Sequence, residues 1–180
     1  MSKILPQAAL LVDDAGLRIT GLKNPDGSDS PIPTSWKSAI ASSKADDDAN
    51  ERDLAAIIIP RGAMQVNSAL RITAHWTVPN SAATKRLRAR FGGTVLYNLD
   101  ITTSVAFTHQ FVLMNRNSLS SQMGGPNNVA SLSTFGSNAI QTAFTVDFAT
   151  AQTLTLTGQW PVAGAGSNNI TLEGYIVEVL

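Results

Sequence analysis

The stretch ALRITAHWTVPNSAATKRLRARFGG, from Ala69 to Gly93, decides the fold class. It contains two short runs in which every second residue is apolar, separated by the turn-like segment PNSAAT. Two is the side-chain period of a β-strand, because neighbouring residues of a strand point to opposite faces of the sheet. The pattern therefore predicts two strands, each with one buried and one solvated face. The residues assigned to the buried faces are Leu70, Ile72, Ala74, Trp76 and Val78 in the first strand, and Leu87, Ala89 and Phe91 in the second.

The rest of the chain from Asp53 to the C-terminus repeats this organisation. Short alternating or β-branched runs are separated by loops rich in Gly, Asn and Pro, which gives eight or nine strands and almost no helical periodicity. In the last run the apolar parity changes between Leu172 and Tyr175, and one extra residue at Glu173–Gly174 explains the change as a β-bulge. The sequence predicts an all-β fold, an antiparallel β-sandwich of jelly-roll or related Greek-key type.

Residues 1–50 lack such regularity and are predicted to form an irregular N-terminal arm or attachment segment, with the sandwich domain at 51–180. The segment from Lys23 to Trp36 is dense in Pro, Gly, Asp and Ser, which favour turns and extended chain. The overlapping segment TSWKSAIASSKADDDANERD, which begins at Thr34, predicts one short helix with Thr34 or Ser35 as its N-cap, since Trp36 and Ile40 stand one helical turn apart. Apolar residues on the arm are the candidates for contacts with a partner: Ile32, Trp36 and Ile40.

The composition excludes several functional classes. Charged residues are 14% of the chain, below the ~25% of typical soluble domains. The formal net charge is +0, so no global field favours nucleic acid or anionic membranes. The chain has no cysteine, which removes disulfides and thiolate chemistry. There is no secretory signal pattern and no apolar window of the ~20 residues needed to cross a bilayer, so we expect no membrane insertion.

The second strand carries three arginines at alternate positions, Arg86, Arg88 and Arg90, which we call the arginine row. Neighbours in such a row lie ~7 Å apart on one strand face, within reach of successive phosphates or carboxylates. Nucleic-acid grooves usually add stacking aromatic residues and a basic excess. Here the net charge is +0, aromatic residues are only 6% of the chain, and the outward residues of nearby strands are mostly Thr, Ser, Gln and His. The sequence favours a solvated face, or an interface in which Asp or Glu of a neighbouring subunit pairs with the row.

No catalytic or metal-binding pattern is present. The two histidines, His75 on a polar parity and His109 on an apolar one, have no metal-ligand spacing around them. No nucleophile elbow or carboxylate pair for glycoside hydrolysis appears. The sequence thus predicts a protein that is not an enzyme and that uses no cofactor or metal.

Two long segments resemble a family of small structural proteins of tailed bacteriophages and prophages. They are IIIPRGAMQVNSALRITAHWTVPNSAATKRLRARFGGTVLYN (Ile57–Asn98) and QTAFTVDFATAQTLTLTGQWPVAGAGSNNITLEGYIVEVL (Gln141–Leu180). The motif Met114–Asn115–Arg116–Asn117 of a middle strand belongs to the same likeness, which covers about two thirds of the chain. The piece AGLRITGLKNPDGS near the N-terminus is similar to the openings of phage fibre and decoration proteins.

The resemblance implies a β-sandwich displayed on the head or tail of a virion, as a homotrimer assembled in the bacterial cytoplasm. Its role would be that of a capsid decoration or cement protein, or of a head or tail fibre component, in contact with other virion proteins. The alternative is a tail-fibre tip that binds a host surface receptor or glycan, with the loop from Asn117 to Asn128 as the first candidate. A nucleic-acid-binding β-barrel is a third possibility that depends on the arginine row alone.

Overall fold

A computed structural model describes residues 22–23, 29–30, 34–45, 48–103, 105–125, 141–164 and 169–180. All regular structure in these ranges is β, and no helix occurs among them. The chain divides into two units, Met1–Pro33 and Thr34–Leu180. The strands are β1 (Leu22–Lys23), β2 (Asp29–Ser30), β3 (Ser35–Ser38), β4 (Ser42–Lys44), β5 (Arg52–Ile59), β6 (Ala69–Thr77), β7 (Lys85–Phe91), β8 (Thr94–Ile101), β9 (Ala106–Asn115), β10 (Gln122–Gly124), β11 (Thr142–Phe144), β12 (Gln152–Gln159) and β13 (Ile170–Val179).

In the first unit, β1 and β2 form a short antiparallel pair, with Leu22 opposite Ser30 and Lys23 opposite Asp29. The second unit is an antiparallel β-sandwich, as the sequence predicts. Its larger sheet has seven strands in the order β11-β10-β9-β6-β13-β3, and β4 pairs with β13 beside β3. Its smaller sheet has four strands in the order β5-β12-β7-β8. The chain passes repeatedly from one sheet to the other, so strands distant in sequence pair in both, as in Greek-key sandwiches.

The core lies between the two sheets and is built from the alternate residues assigned to it by the sequence pattern. The apolar parity of β6 is buried from Leu70 to Trp76, whereas Arg71, Thr73, His75 and Thr77 are half-buried or exposed. Aromatic rings from both sheets meet edge-on, with centroids 4.5 Å apart for Tyr97 and His109. Such burial of apolar side chains contributes about 1.5–3 kcal/mol for each large residue.

The predicted β-bulge is confirmed. The register of β13 against β6 shifts between Leu172 and Gly174, so that Leu172 lies opposite Trp76 and Gly174 opposite His75. Tyr175 then lies opposite Ala74, and the inward parity of the strand changes as its apolar pattern requires. This one extra residue lets both halves of β13 bury their apolar side chains.

The short helix predicted after Thr34 is wrong. Residues 35–38 and 42–44 are the strands β3 and β4, which pair with the two halves of β13. The reason is that β13 offers an unpaired edge, and Trp36 gains burial against the core from an extended strand. The sandwich unit therefore begins at Thr34, whereas the sequence placed the start of the sandwich domain at residue 51.

Candidate functional site

The arginine row lies on the outer face of the four-stranded sheet, on β7. The burial pattern of β7 alternates strictly, with Leu87 and Ala89 buried and the three arginines half-buried. β12 lies on one side of β7 and β8 on the other, so the row crosses the middle of the sheet. The period-two reading of this strand is confirmed.

Arg88 and Arg90 bind one carboxylate of the same chain, that of Glu51. Arg90 donates from Nε to Oε1 at 2.8 Å and from Nη2 to Oε2 at 2.5 Å, and Arg88 donates from Nη1 to Oε2 at 2.5 Å. The hydroxyl of Thr157 on β12 donates a further hydrogen bond to Oε1 of Glu51. Four donors from two strands thus converge on a carboxylate that stands at the start of β5. We call this group of residues the Glu51 clamp.

Arg88 also connects the clamp to its neighbours. Its Nε donates to Oδ1 of Asn98 on β8 at 2.7 Å, and its Nη1 donates to Oε1 of Gln159 on β12 at 3.0 Å. Nε2 of Gln159 donates to the carbonyl of Ala49 at 2.8 Å. These contacts fasten the segment that leads into β5 onto the outer face of the sheet.

Arg86 forms a separate, two-pronged pair with Asp100 on β8. Its Nε and Nη2 lie 2.7 and 2.8 Å from the two carboxylate oxygens. The two side chains are 29% and 40% exposed, so this pair contributes at most about 1 kcal/mol to stability. The pair borders a surface depression of about 390 Å³, which is otherwise lined by small or apolar side chains, Ala82, Ala83, Thr84, Pro161 and Val162.

The ion pairs shift the pKa values of the groups that make them. Burial raises the pKa of Glu51, but the hydrogen bonds from Arg90 and Thr157 and the charges of Arg88 and Arg90 outweigh burial, and the net pKa is lowered. The hydrogen bond from Arg86 lowers the pKa of Asp100. Both carboxylates are therefore ionised at neutral pH. The acidic partners of the arginine row come from this chain itself, while the role of Arg86, Arg88 and Arg90 in a subunit interface stays a prediction.

The two histidines lie where the alternation places them. His75 is exposed on the outer face of the seven-stranded sheet, with its Nδ1 2.9 Å from Oγ1 of Thr108. His109 is buried against Tyr97, and burial lowers its pKa to about 4. His109 Nε2 has no hydrogen-bond partner in the described part of the chain. Within the same ranges, no group of three or more His, Cys, Asp or Glu side chains is placed to hold a metal ion.

The loop considered for glycan binding is partly a structural element. Gln122 is fully buried at the start of β10, and its Nε2 donates to Asn115 Oδ1 at 3.1 Å and to the carbonyls of Leu119 and Val146. Its Oε1 accepts the N–H of Val146 at 2.8 Å. All of these contacts are internal, so the amide of Gln122 is used to hold the loop to the sandwich. Residues 126–128 of that loop lie outside the described residues.

The predicted arm residues have different surroundings. Trp36 lies on β3, half-buried against the core, so its indole contributes to the sandwich itself. Ile40, between β3 and β4, is 84% exposed. Ile32 lies outside the described residues.

Sequence reasoning missed the residues that partner the arginine row and one buried lysine. Glu51 had no local signal in the sequence, because it is 37 residues from Arg88 and 106 from Thr157.

The buried lysine is Lys85, which precedes the arginine row on the inward parity of β7 and is fully buried. Its Nζ donates to the carbonyls of Ser81 and Thr102 and lies 6.0 Å from the ring centroid of Trp160. Burial lowers the pKa of Lys85. Lys85 therefore joins the segment that precedes β7 to the segment that follows β8.

The chain has no match among protein-family models or curated proteins. No helix in the described ranges is long and apolar enough to cross a membrane.

Proposed function

We propose that this chain is an accessory structural protein of a tailed-bacteriophage virion, a capsid decoration or cement protein or a head or tail fibre component. It acts by packing against other subunits as a homotrimer and against other virion proteins. The observation that carries the proposal is the two-part organisation of the chain, in which a sandwich unit from Thr34 to Leu180 follows a separate N-terminal unit. Such a division suits one module for display and one segment for attachment. The phage-like segments Ile57–Asn98 and Gln141–Leu180 support the same reading.

The state of the charged groups also supports a packing role. The three arginines of the arginine row form ion pairs with Glu51 and Asp100, so the charges of the row are paired on the outer face of the four-stranded sheet. Paired charges lower the desolvation free energy of covering this face with another protein, because each ion keeps its counterion when it loses water. The bound subunit would stabilise the particle by mass action.

Two experiments test the proposal. Multi-angle light scattering of the full chain, between ~1 and ~100 µM to span common affinities, is expected to give the mass of three 19.0 kDa chains. A mass of one chain throughout this range would overturn self-association.

For the virion assignment, antibodies against the purified chain should label tailed particles in electron micrographs. Particles from a strain that lacks the gene are the matched control, and equal labelling of both would overturn the assignment.

A further inference from the structure

The outer face of the seven-stranded sheet carries a continuous row of apolar side chains at one end. Residues directly opposite each other in antiparallel strands share a face, so the register of the strands defines the row. Ala69 lies opposite Met114, Met123 lies opposite both Met114 and Ala143, and Leu180 exchanges backbone hydrogen bonds with Ala69. We call this row the apolar band: Leu180, Ala69, Met114, Met123 and Ala143.

The members of the apolar band point away from the core. Met114 is 47% exposed, while its neighbours in sequence, Leu113 and Asn115, are buried, and Leu180 is 59% exposed. Ala143 is exposed between buried or half-buried neighbours on β11. A row across five strands spans about 19 Å, because neighbouring strands lie about 4.8 Å apart. Ala69 and Met123, the other two members, are half-buried. A contiguous apolar row of this length on an outer face is typical of an interaction surface.

The charges around the band favour a copy of the same chain as its partner. In the next row of the same face, Arg71 donates from Nε and Nη2 to Glu178 Oε2 at 2.9 and 2.8 Å. In the following row Thr73, Gln110 and Ile176 are uncharged, while Lys37 of β3, opposite Ile176, is an exposed cation at the edge of the sheet. A charge without a counterion on a surface repels the same charge on an identical surface. On this face the charges next to the band are paired with each other and the further cation lies at the edge, so the centre of the face can accept a second copy.

The size of this face is also adequate for self-association. The seven strands contain 42 residues, and at about 16 Å² for each residue of a sheet their outer face covers roughly 670 Å². This is close to the roughly 800 Å² that each partner buries in a standard interface. The band itself supplies Met and Leu side chains, and flexible Met side chains adapt well to a facing surface.

We infer that the apolar band is the surface through which copies of this chain contact one another, with the Arg71–Glu178 row at its border. The inference rests on the proposed function, in which the chain assembles with itself, and it assigns the contact to the seven-stranded sheet. The arginine row, on the opposite outer face, is then not the self-contact.

Methionine oxidation tests the inference on the unmodified full chain. Hydrogen peroxide converts an accessible thioether to a sulfoxide and is itself reduced to water, at a rate that follows exposure. Met114 should be oxidised about tenfold more slowly at high protein concentration, where the oligomer forms, than at low concentration, where it dissociates. Met64 is 1% exposed in the core and is the internal control for a folded chain. Peptide mass spectrometry measures both residues in the same sample.

A pair of matched variants gives a second readout. Met114→Lys places a charge in the centre of the band and is expected to weaken association about 100-fold or more, because the ammonium loses water without gaining a partner. Thr153→Lys places the same charge on the exposed face of β12, in the other sheet, and is expected to leave association unchanged. Circular dichroism melts of both variants establish that the monomer is folded. Leu180→Lys replaces Met114→Lys if the latter fails to fold.

The outcomes separate this inference from the proposed function. A single-chain mass for the unmodified protein overturns the inference and the self-association part of the proposed function, and leaves the virion assignment to the antibody experiment. An oligomer in which Met114 oxidises equally fast at all concentrations overturns the inference alone, as does an oligomer that survives Met114→Lys and dissociates with Thr153→Lys. Slow oxidation of Met114 in a single-chain species shows that the chain covers its own band, and this too overturns the inference.

Discussion

At the scale of single residues, the Glu51 carboxylate determines how the outer face of the four-stranded sheet is held. Two guanidinium groups and the Thr157 hydroxyl donate to it, and the side chain is 21% exposed. If the charge of Glu51 is removed, Arg88 and Arg90 remain side by side on one face of β7 without their shared counterion. A half-buried ion pair that loses one partner costs more than an exposed pair, because the remaining charge is only partly solvated.

We predict that Glu51→Gln lowers the free energy of unfolding at pH 7 by about 1–3 kcal/mol. The pKa of Glu51 is lowered from 4.5 in the folded chain, so the ionised carboxylate stabilises the fold above pH 4.5. That contribution is lost as the pH falls through the folded pKa, and the difference between variant and wild type should shrink as the pH falls below 4.5. Urea unfolding of both proteins at pH 7 and pH 3.5 measures this difference in the free energy of unfolding.

Asp53→Asn is the matched control for this prediction, since it makes the same carboxyl-to-amide change at an exposed position two residues away. It should change the free energy of unfolding by less than about 0.5 kcal/mol. If Glu51→Gln behaves like Asp53→Asn at pH 7, the clamp does not stabilise the sheet.

The buried His109 gives the fold a second, separate pH dependence. Burial lowers the pKa of His109 from 6.5 to about 4, so the unfolded chain binds this proton more readily than the folded one. Stability therefore falls as the pH drops from about 6.5 to about 4, by roughly 3 kcal/mol in total. We predict that His109→Phe flattens this part of the stability profile, because phenylalanine fills the site beside Tyr97 and does not titrate.

The measurement is the urea midpoint between pH 4.5 and 7.5, and His75→Phe is the control at an exposed position. A profile that stays steep in His109→Phe and flattens in His75→Phe would contradict the assignment. Within this window the effect of Glu51 is small, because its lowered pKa lies below the range tested.

At the scale of elements, the β-bulge in β13 depends on a residue without a side chain. A Cβ atom built on Gly174 would lie 2.7 Å from the Ser38 carbonyl oxygen and 3.3 Å from Ala39 Cα. Both atoms belong to backbone that leaves β3, so neither can move as a flexible side chain can. We predict that Gly174→Ala lowers the free energy of unfolding by about 1–3 kcal/mol through this overlap.

Gly93→Ala is the comparison for Gly174→Ala, because a Cβ at Gly93 meets nothing within 4 Å. It should be neutral or stabilising by up to about 1 kcal/mol, since alanine restricts the unfolded chain. Thermal melts of the two variants give the difference. Equal melting temperatures would show that β3 yields without cost at the bulge.

The elements also show what the sequence could predict and why it stopped there. Period-two alternation is local, so it predicted the inward and outward residues of β6 and β7 and the bulge at Glu173–Gly174. The helix expected after Thr34 was wrong, because Trp36 and Ile40 satisfy a helical spacing by chance while pairing with β13 decides the outcome. Burial by a distant strand outweighs a weak local preference.

The acidic partners of the arginine row could not be predicted from the local sequence, for two different reasons. A simple hairpin through Gly92 and Gly93 places Leu99 opposite Arg86, but a register shift after Ala89 leaves Leu96 unpaired and brings Asp100 there instead. Glu51 reaches the row from the start of β5, on the far side of β12. The direction of the arginines is thus a property of one strand, whereas their counterions depend on the whole sheet.

At the scale of the whole molecule, the boundary of the sandwich unit decides which part of the chain folds by itself. β3 and β4 pair with β13, Trp36 packs on the core, and the hydroxyl groups of Ser43 and Thr171 lie 2.9 Å apart. A chain that starts at Thr34 keeps all of these contacts. A chain that starts at Glu51 loses them and exposes one edge of β13, which invites pairing with other chains.

We predict that the chain from Thr34 melts within a few degrees of the full protein, while the chain from Glu51 melts about 10 °C or more lower, or aggregates. Loss of a packed tryptophan costs about 3–5 kcal/mol, and 1 kcal/mol corresponds to about 2–4 °C for a protein of this length. Differential scanning calorimetry of the three proteins makes the comparison. Equal melting temperatures for the two shortened chains would mean that β3 and β4 add nothing to the sandwich, and the arm would then extend to residue 50. A large loss that appears already on removal of 1–33 would instead mean that the N-terminal unit supports the sandwich, and the two-part organisation on which the proposed function rests would fail.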